Sequence, residues 1–447
     1  MTSPQSGDLL LQGGLVHTGG NLHQVDVLVE GGRITAIGHD LVAPAGCPTL
    51  DCHGKWVLPG LIDPQVHFRE PGLVHKEDLE SGSRAALWGG ITAFMEMPNT
   101  KPMTTDPAAL EDKLRRADDH AWVDYAFFLG ATSENADRLG EWESLPGCAG
   151  VKVFMGSSTG DLLVRDDATL ERILRGGTRR VTVHSEDDFR LSQRYSDLAA
   201  TAKVTEHDHI RDVTCAVQST TRLLDLVEKT GRPVHILHVS TADELRLVRE
   251  RDLGDLVTLE ATPNHLFLCA PQCYEEHGSH AQMNPPVRGR EHQEALRQAC
   301  REGLITCIGS DHAPHTAEEK AKPYPNSPSG IPGTQTILPL LLTAIRDGWL
   351  ELADILRLCH SGPVHVYGIA DRDPIAPGAT GTFTLVDPAV RGPLELSWLQ
   401  SRVGWSPFAG RELAGLPWAT ILRGQIAHQL GAEHERVAIA PLRFGTR

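Results

Sequence analysis

The sequence predicts an α/β protein with a (β/α)8 TIM barrel and a small β-sandwich domain that is formed from both chain ends. Eight apolar, β-rich runs alternate with helical patterns through the middle of the chain, and short strand patterns punctuated by glycine occupy both ends. The runs cover 58–68, 91–98, 122–130, 149–155, 180–186, 232–239, 256–264 and 304–311. We therefore expect a composite β domain over 1–57 and 375–447 and a barrel over 58–374. A doubly wound open sheet is the alternative that the alternation leaves open.

The length and charge of the chain limit its class. A chain of 447 residues is long enough for a large barrel with a second small domain. Lys and Arg number 42 and Asp and Glu 58, which gives a net charge of −16 and argues against a nucleic-acid partner. The nine cysteines include no Cys-x-x-Cys pair, and no apolar run is long enough to span a bilayer. The N-terminus lacks a signal-peptide pattern, so we expect a cytoplasmic protein without a membrane partner.

Polar residues follow seven of the eight runs, at the point where each predicted strand ends. They are His67 and Arg69, then Asn99, Lys152, His184, His238, Asn264 and Asp311. Active sites of TIM barrels lie at the carboxyl ends of the strands. A buried ionisable group at such a position costs free energy unless it is paired or bound to a metal ion. The pattern therefore predicts one polar site at this end of the barrel.

Four of these residues carry side chains that suit a divalent metal ion. His67, His184, His238 and Asp311 offer imidazole and carboxylate ligands, which favour an ion such as zinc. Each histidine taken alone has a structural role as its alternative. His235 lies three residues before His238, and side chains three apart face opposite sides of a regular strand. We therefore interpret His235 as structural.

Lys152 lies among apolar neighbours in the run at 149–155. Burial makes a lysine cation costly and lowers its pKa. A neutral amine can react with carbon dioxide to give a carbamate, which is an anion able to bridge two metal ions. The alternative is an ion pair between Lys152 and a carboxylate such as that of Glu186.

These residues lie in motifs that resemble the dihydroorotase branch of the amidohydrolase superfamily. The matching strings are DPQVHFREPG at 63–72, MPNT at 97–100, VHSE at 183–186, HVS at 238–240, TPNHL at 262–266, MNPP at 283–286 and GSDHAPH at 309–315. They span most of the predicted barrel in the order of that family. The resemblance implies a metal-dependent hydrolase of cyclic amides, acting reversibly on dihydroorotate in pyrimidine biosynthesis.

The resemblance also implies roles for individual residues. The expected metal ligands are His67, carbamylated Lys152, His184, His238 and Asp311, around one or two zinc ions. Asp311 is expected to transfer protons, and the expected substrate-binding residues are Arg69, Asn99, Asn284 and His315. Arg69 can clamp the carboxylate of dihydroorotate with two parallel hydrogen bonds. Allantoinases and hydantoinases, the alternative cyclic amidases, act on rings without that carboxylate. A salt bridge from Arg69 to Glu70 or Glu96 is the other interpretation.

The chain departs from the family pattern most seriously at Gln65, which replaces the first histidine of a His-x-His motif. Milder departures are Asn264, where histidine is common, and Gln282, where lysine is common. Gln65 allows three interpretations: two metal ions with one held weakly, one metal ion, or an inactive chain retained as a scaffold for aspartate transcarbamoylase. Because the other five ligand positions remain, we favour an active enzyme, which we expect to be a homo-oligomer.

The segment at 312–333 is rich in Pro, Ser and Gly and directly follows the last strand end. A loop this long in a compact barrel usually has a function. We expect it to cover the substrate, with a plain surface excursion as the alternative.

Overall fold

The computed structural model describes residues 7–157, 162–198, 201–433 and 435–445. Within these ranges the strands β1 to β16 are Leu9–Thr18, Asn21–Glu30, Arg33–Gly38, Thr49–Asp51, Trp56–Pro59, Leu61–Val66, Ile91–Glu96, Asp124–Gly130, Cys148–Phe154, Val181–His184, Val234–Ile236, Val257–Ala261, Ile305–Ile308, Phe383–Pro393, Glu412–Leu422 and Gln425–Gln429. The helices α1 to α15 are Leu79–Trp88, Pro107–His120, Leu139–Trp142, Asp167–Arg175, Asp188–Ser196, His207–Ile210, Val213–Thr230, Ala242–Arg251, Pro263–Phe267, Gln272–His277, Arg290–Glu302, Ala317–Lys320, Ile337–Arg346, Leu352–Leu356 and Gly362–Tyr367.

Strands β6 to β13 form the barrel, and each pairs in parallel with its neighbour in sequence. The two ends of this sheet meet where Val66 bridges to His312, just beyond β13, and where the His67 N–H donates to the His312 carbonyl at 2.7 Å. Each of the eight predicted runs overlaps one barrel strand. The predicted barrel is therefore confirmed, and the open sheet is excluded.

The barrel strands are buried on both faces, as parallel strands covered by helices are. Every residue of β6, β7, β8 and β9 is buried. Several of the helices around the barrel begin at side chains that accept hydrogen bonds from their first turns. Asp78, Asp106, Asp166 and Asp212 cap α1, α2, α4 and α7 in this way. These four aspartate caps mark the residues at which α1, α2, α4 and α7 begin.

The second sheet contains strands from both chain ends, in the order β16-β15-β14-β5-β1-β2-β3, with β4 paired to β1. All of its pairs are antiparallel except β1 with β4 and with β5. The two ends meet in the β5–β14 pair, where Trp56 lies opposite Val386. This confirms the predicted β unit built from both ends. In the described part of the chain, no helix is long and apolar enough to cross a membrane.

Candidate active site

The residues predicted at the strand ends surround one cavity at the carboxyl end of the barrel. Its walls are formed by Gln65, His67, Arg69, Lys152, Phe154, His184, His238, Asn284, Asp311, Ala313, Ser329 and Gly330. Ala313, Ser329 and Gly330 belong to the segment at 312–333, which therefore forms one wall of the cavity. All five predicted metal ligands reach this cavity.

Three of the wall residues have backbones in the left-handed region. The φ angles of Arg69, His238 and Asp311 are 67°, 36° and 48°. Non-glycine residues rarely adopt such angles, and those that do are concentrated at functional sites. Strand β11 ends at Ile236, so the alternation of a regular strand does not extend to His238. His235 and His238 therefore both point into the barrel, His235 towards Cys307 and His238 into the cavity.

The first pair of candidate ligands is His67 and Asp311. His67 Nδ1 lies 2.7 Å from Asn99 Oδ1, and because that oxygen only accepts, Nδ1 carries the proton. His67 Nε2 then presents a lone pair to Asp311 Oδ1 at 3.1 Å. Burial lowers the pKa of His67, so the ring is neutral. A cation placed between His67 Nε2 and Asp311 Oδ1 would be coordinated by both atoms.

The second pair of candidate ligands is His184 and His238, whose ring nitrogens face each other. His184 Nε2 donates to Glu186 Oε2 at 2.9 Å, and Arg211 forms an ion pair with the same carboxylate. His184 Nδ1 is then an acceptor, and it lies 3.1 Å from His238 Nε2. Burial lowers the pKa of both histidines. A carboxylate that orients a histidine in this way is typical of metal sites.

Each of the two pairs therefore offers two ligand atoms at a separation that suits a divalent metal ion. All four residues line the cavity. The distance from His67 Nε2 to Asp311 Oδ1 and the distance from His184 Nδ1 to His238 Nε2 are both 3.1 Å. Nitrogen and oxygen ligands at about 2.0–2.2 Å from a tetrahedral zinc ion lie roughly this far apart. Asn99 and Glu186 fix which ring nitrogen of their histidine is protonated. The geometry thus provides both ligands and the groups that orient them.

Lys152 is buried beside these ligands, with its Nζ 4.5 Å from the centre of the Phe154 ring. Burial lowers the pKa of Lys152 to about 7. In the described ranges, no ion pair within 4.0 Å involves Lys152, and Glu186 pairs with His184 and Arg211 instead. The predicted alternative of a Lys152–Glu186 pair is therefore not observed. A partly neutral amine at this position is suited to carbamate formation.

Gln65 also lines the cavity, but its side chain presents an N–H donor to Asp311. Its Nε2 donates to Asp311 Oδ1 at 3.0 Å. Its Oε1 is buried and has no hydrogen-bond partner among the described residues. An N–H group cannot ligate a metal ion, so in this orientation Gln65 does not replace the histidine that the family pattern has at this position.

Arg69 is held with most of its guanidinium uncommitted. Its Nε donates to the Pro314 carbonyl at 3.3 Å, while Nη1 is buried without a partner in the described chain. The carboxylates suggested as its partners are engaged elsewhere, Glu70 with Arg116 and Glu96 with Lys113. Burial lowers the pKa of Arg69 to about 10, which leaves it cationic at neutral pH. A buried, unpaired guanidinium is a strong site for a carboxylate.

The other predicted substrate-binding residues take different positions. Asn284 lines the cavity, and its Oδ1 accepts a hydrogen bond from His207 Nε2 at 3.1 Å. Asn99 contacts His67, and His315 lies beside Arg69, with His315 Nε2 3.3 Å from Arg69 Nη2. Neither Asn99 nor His315 is among the residues that line the cavity. Both instead contact residues that do.

The two mild departures from the family pattern have different surroundings. Gln282 Nε2 donates to the Ser327 carbonyl and to Ser329 Oγ, at 2.9 and 3.1 Å. Gln282 therefore binds the segment at 312–333 to the barrel. The side-chain amide of Asn264 is buried without a hydrogen-bond partner in the described ranges.

Several residues near the site were not predicted from the sequence. Arg211 holds Glu186, and Lys76 and Glu319 contact His315. A buried group of potential ligands, His235, Glu260 and Cys307, lies deeper in the barrel. Burial keeps the pKa of Glu260 well above its usual range. The contact of Lys76 with His315 joins positions 239 apart, so no local spacing could reveal it, whereas Glu319 lies only four residues after His315.

Comparison with known proteins identifies the family. A model of the amidohydrolase family matches residues 56–426, which is most of the chain. The chain belongs to the amidohydrolase family. This amidohydrolase is 32% identical to a dihydroorotase of Methanosarcina mazei, with 94% of each chain covered. It is 33% identical to a dihydroorotase of Geobacter sp. strain M21, over 95% of this chain and 100% of that one.

Among solved structures, the amidohydrolase resembles an L-hydantoinase (dihydropyrimidinase) from Arthrobacter aurescens. The TM-score is 0.91 at 26% identity, with 99% of this chain and 100% of that chain covered. The amidohydrolase is thus an enzyme of the class that hydrolyses cyclic amides, and its family is metal-dependent.

Proposed function

We propose that this amidohydrolase is a dihydroorotase, which converts dihydroorotate reversibly to N-carbamoyl-L-aspartate in pyrimidine biosynthesis. The observation that carries the proposal is the Arg69 guanidinium, buried beside the ligand set with Nη1 unpartnered in the described chain. Dihydroorotate combines a cyclic amide with a carboxylate. A site that recognises it needs metal ligands next to a cationic clamp, and candidates for both line this cavity.

The metal that we propose is zinc, held by His67, Lys152 as a carbamate, His184, His238 and Asp311. When bound, zinc supplies Lewis acidity that polarises a carbonyl and brings the pKa of water to about 7. Burial lowers the pKa of His67, His184 and His238, which favours the neutral rings that can ligate a metal ion. Glu186 and Asn99 keep the two ring orientations fixed.

Asp311 is the residue that we assign to proton transfer. Its Oδ1 faces His67 and Gln65, and its backbone is held at a φ of 48°. A carboxylate beside the attacking water accepts its proton and then delivers it to the departing amide nitrogen. Arg69 orients the ring through the carboxylate, and Asn284 borders the same cavity.

Two alternatives predict different behaviour. A hydantoinase or allantoinase acts on rings without a carboxylate, and the unpaired Arg69 would then have no anionic ligand. A scaffold for aspartate transcarbamoylase needs no metal ligands, yet His67, Lys152, His184, His238 and Asp311 are all present and gathered. We expect a homo-oligomer that acts on a small molecule. Whether it also associates with aspartate transcarbamoylase is tested separately, with the purified protein.

The test is a side-by-side assay of dihydroorotate, allantoin and dihydrouracil, together with metal analysis of the purified protein. We expect bound zinc and turnover of dihydroorotate. Arg69→Met should raise KM for dihydroorotate by roughly 10- to 100-fold, because one or two charge-assisted hydrogen bonds are lost. Arg115→Met, at an exposed arginine, is the matched control. Turnover of allantoin alone, or no metal above trace, would overturn the proposal.

A further inference from the structure

We propose that Lys76 is a positioning residue, which fixes the proton of His315 on Nε2 and thereby keeps the Arg69 guanidinium free for a substrate carboxylate. The part that concerns substrate rests on the proposed function. Lys76 lies between β6 and α1, and His315 lies in the segment that follows β13. The two residues are 239 positions apart and are brought together only by closure of the barrel.

Lys76 is buried, with 9% of its surface exposed, and it makes two polar contacts. Its Nζ lies 3.2 Å from His315 Nδ1 and 3.1 Å from Glu319 Oε1. Glu319 is itself fixed, because its backbone N–H bonds to Thr316 Oγ1 and its carboxylate accepts from the Thr316 N–H. Lys76 therefore has a defined place between an imidazole nitrogen and a carboxylate.

The partners of His315 decide where its ring proton resides. Nε2 lies 3.0 Å from the Ser329 carbonyl, which only accepts, so Nε2 carries the proton. Nδ1 lies 3.2 Å from the Lys76 ammonium, which only donates, and 3.3 Å from Glu319 Oε2, which only accepts. With the ring proton on Nε2, Nδ1 presents its lone pair to Lys76. Burial lowers the pKa of His315 to about 3, which is consistent with a neutral ring.

This tautomer determines what Arg69 can do. Arg69 Nη2 lies 3.3 Å from His315 Nε2, and because both atoms carry protons they do not form a hydrogen bond. Nη1 is also without a partner in the described part of the chain. Both terminal nitrogens of the guanidinium therefore remain available for the two oxygens of a carboxylate.

Without the Lys76 ammonium, the preferred tautomer changes. Glu319 Oε2 lies 3.3 Å from His315 Nδ1 and would then attract a proton to that nitrogen. Nε2 would present a lone pair to Arg69 Nη2, giving two charge-assisted hydrogen bonds in place of the bond to Ser329. Arg69 keeps the ring from becoming a cation as well, because two positive charges 3.3 Å apart repel each other. The guanidinium would be engaged before substrate arrives.

The kinetic test compares wild type with Lys76→Met and Lys76→Arg, and uses Lys322→Met as a control at an exposed lysine of the same segment. Lys76→Met should raise KM for dihydroorotate by about 10-fold, the equivalent of one charge-assisted hydrogen bond, with kcat and the melting temperature nearly unchanged. Lys76→Arg retains a cationic donor and should restore part of the affinity. An unchanged KM in Lys76→Met, or a loss confined to kcat, would overturn the proposal.

The tautomer is tested independently by NMR of protein with ¹⁵N-labelled histidine, with His315 assigned from its absence in His315→Gln. In wild type, Nε2 should resonate as a protonated nitrogen and Nδ1 as an unprotonated one, and Lys76→Met should reverse this. Protonated Nδ1 in wild type would overturn the proposal even if the variant failed to fold. If wild type shows the expected tautomer but does not turn over dihydroorotate, the proposed function fails and the positioning role of Lys76 stands.

Discussion

Gln65 Nε2 donates a hydrogen bond to Asp311 Oδ1 at 3.0 Å, and the same oxygen lies 3.1 Å from His67 Nε2. The Asp311 carboxylate therefore lies between a candidate metal ligand and an amide that cannot act as one in this orientation. Gln65 and His67 are two residues apart and both line the cavity, although β6 ends at Val66. The cavity therefore has an amide N–H at the position where the family pattern has an imidazole ligand.

Gln65→His should therefore increase the number of metal ions that each chain binds. We expect about one tightly held zinc ion in wild type and up to two in the variant, because an imidazole lone pair replaces an amide N–H. Elemental analysis after dialysis against buffered zinc measures both values. Two tightly held ions in wild type would show that the Gln65 amide turns its oxygen to the metal.

Asp311→Asn should lower kcat/KM for dihydroorotate by about 10²- to 10⁴-fold, the usual contribution of a general acid–base residue. The amide retains size and one oxygen but cannot accept and return a proton. Asp225→Asn, at an exposed aspartate on α7, is the matched control and should leave kcat/KM unchanged. The metal content of Asp311→Asn is measured in parallel, and activity near that of wild type would exclude Asp311 from proton transfer.

Glu186→Gln should weaken both metal binding and the fold. Glu186 orients His184 and pairs with Arg211, and both ion-pair partners are buried. Loss of an orienting carboxylate costs roughly 10- to 100-fold in metal affinity. Leaving the Arg211 charge buried without its partner should lower the free energy of unfolding by about 3–5 kcal/mol.

Chelator competition and urea unfolding of the metal-free protein separate these two effects of Glu186→Gln. Glu171→Gln is the control, because Glu171 pairs with the exposed Lys229 and Arg175 at the surface. We expect little change from it in either measurement. Equal stability of Glu186→Gln and wild type would mean that Arg211 finds another partner.

His207 should make the fold sensitive to acid. Burial lowers the pKa of His207 to about 3, while its Nε2 donates to the Met283 carbonyl and to Asn284 Oδ1. Below a pH of about 6.5 the unfolded chain takes up a proton that the folded chain refuses. The contribution of neutral His207 to stability is therefore complete above that pH and is lost as the pH falls towards 3.

His207→Gln should remove this dependence. The free energy of unfolding of wild type should fall more steeply with decreasing pH than that of the variant, by up to about 1.4 kcal/mol per pH unit. Urea unfolding at several pH values between 7.5 and 4.5 measures both slopes. Parallel slopes would show that His207 is protonated within the folded protein.

Local patterns were sufficient to predict the elements of this fold. Apolar runs of strand length alternated with helical patterns, and each run overlaps one barrel strand. The polar residues at the strand ends were also visible, because they interrupt runs that are otherwise apolar. The expected alternation of side chains along a strand did not hold at His238. Strand β11 has already ended there, and the backbone of His238 has a positive φ.

The sequence by itself determined the barrel, the sheet built from both ends, and the residues that gather at the strand ends. These depend on periodicity and turn chemistry, which act over a few residues. Only the tertiary structure decided the protonation of each ring, the free state of Arg69, and the donor that Gln65 presents to Asp311. Those properties depend on partners such as Lys76 and Glu319, which both contact His315. Lys76 is 239 positions from His315 in sequence and reaches it only because the barrel closes.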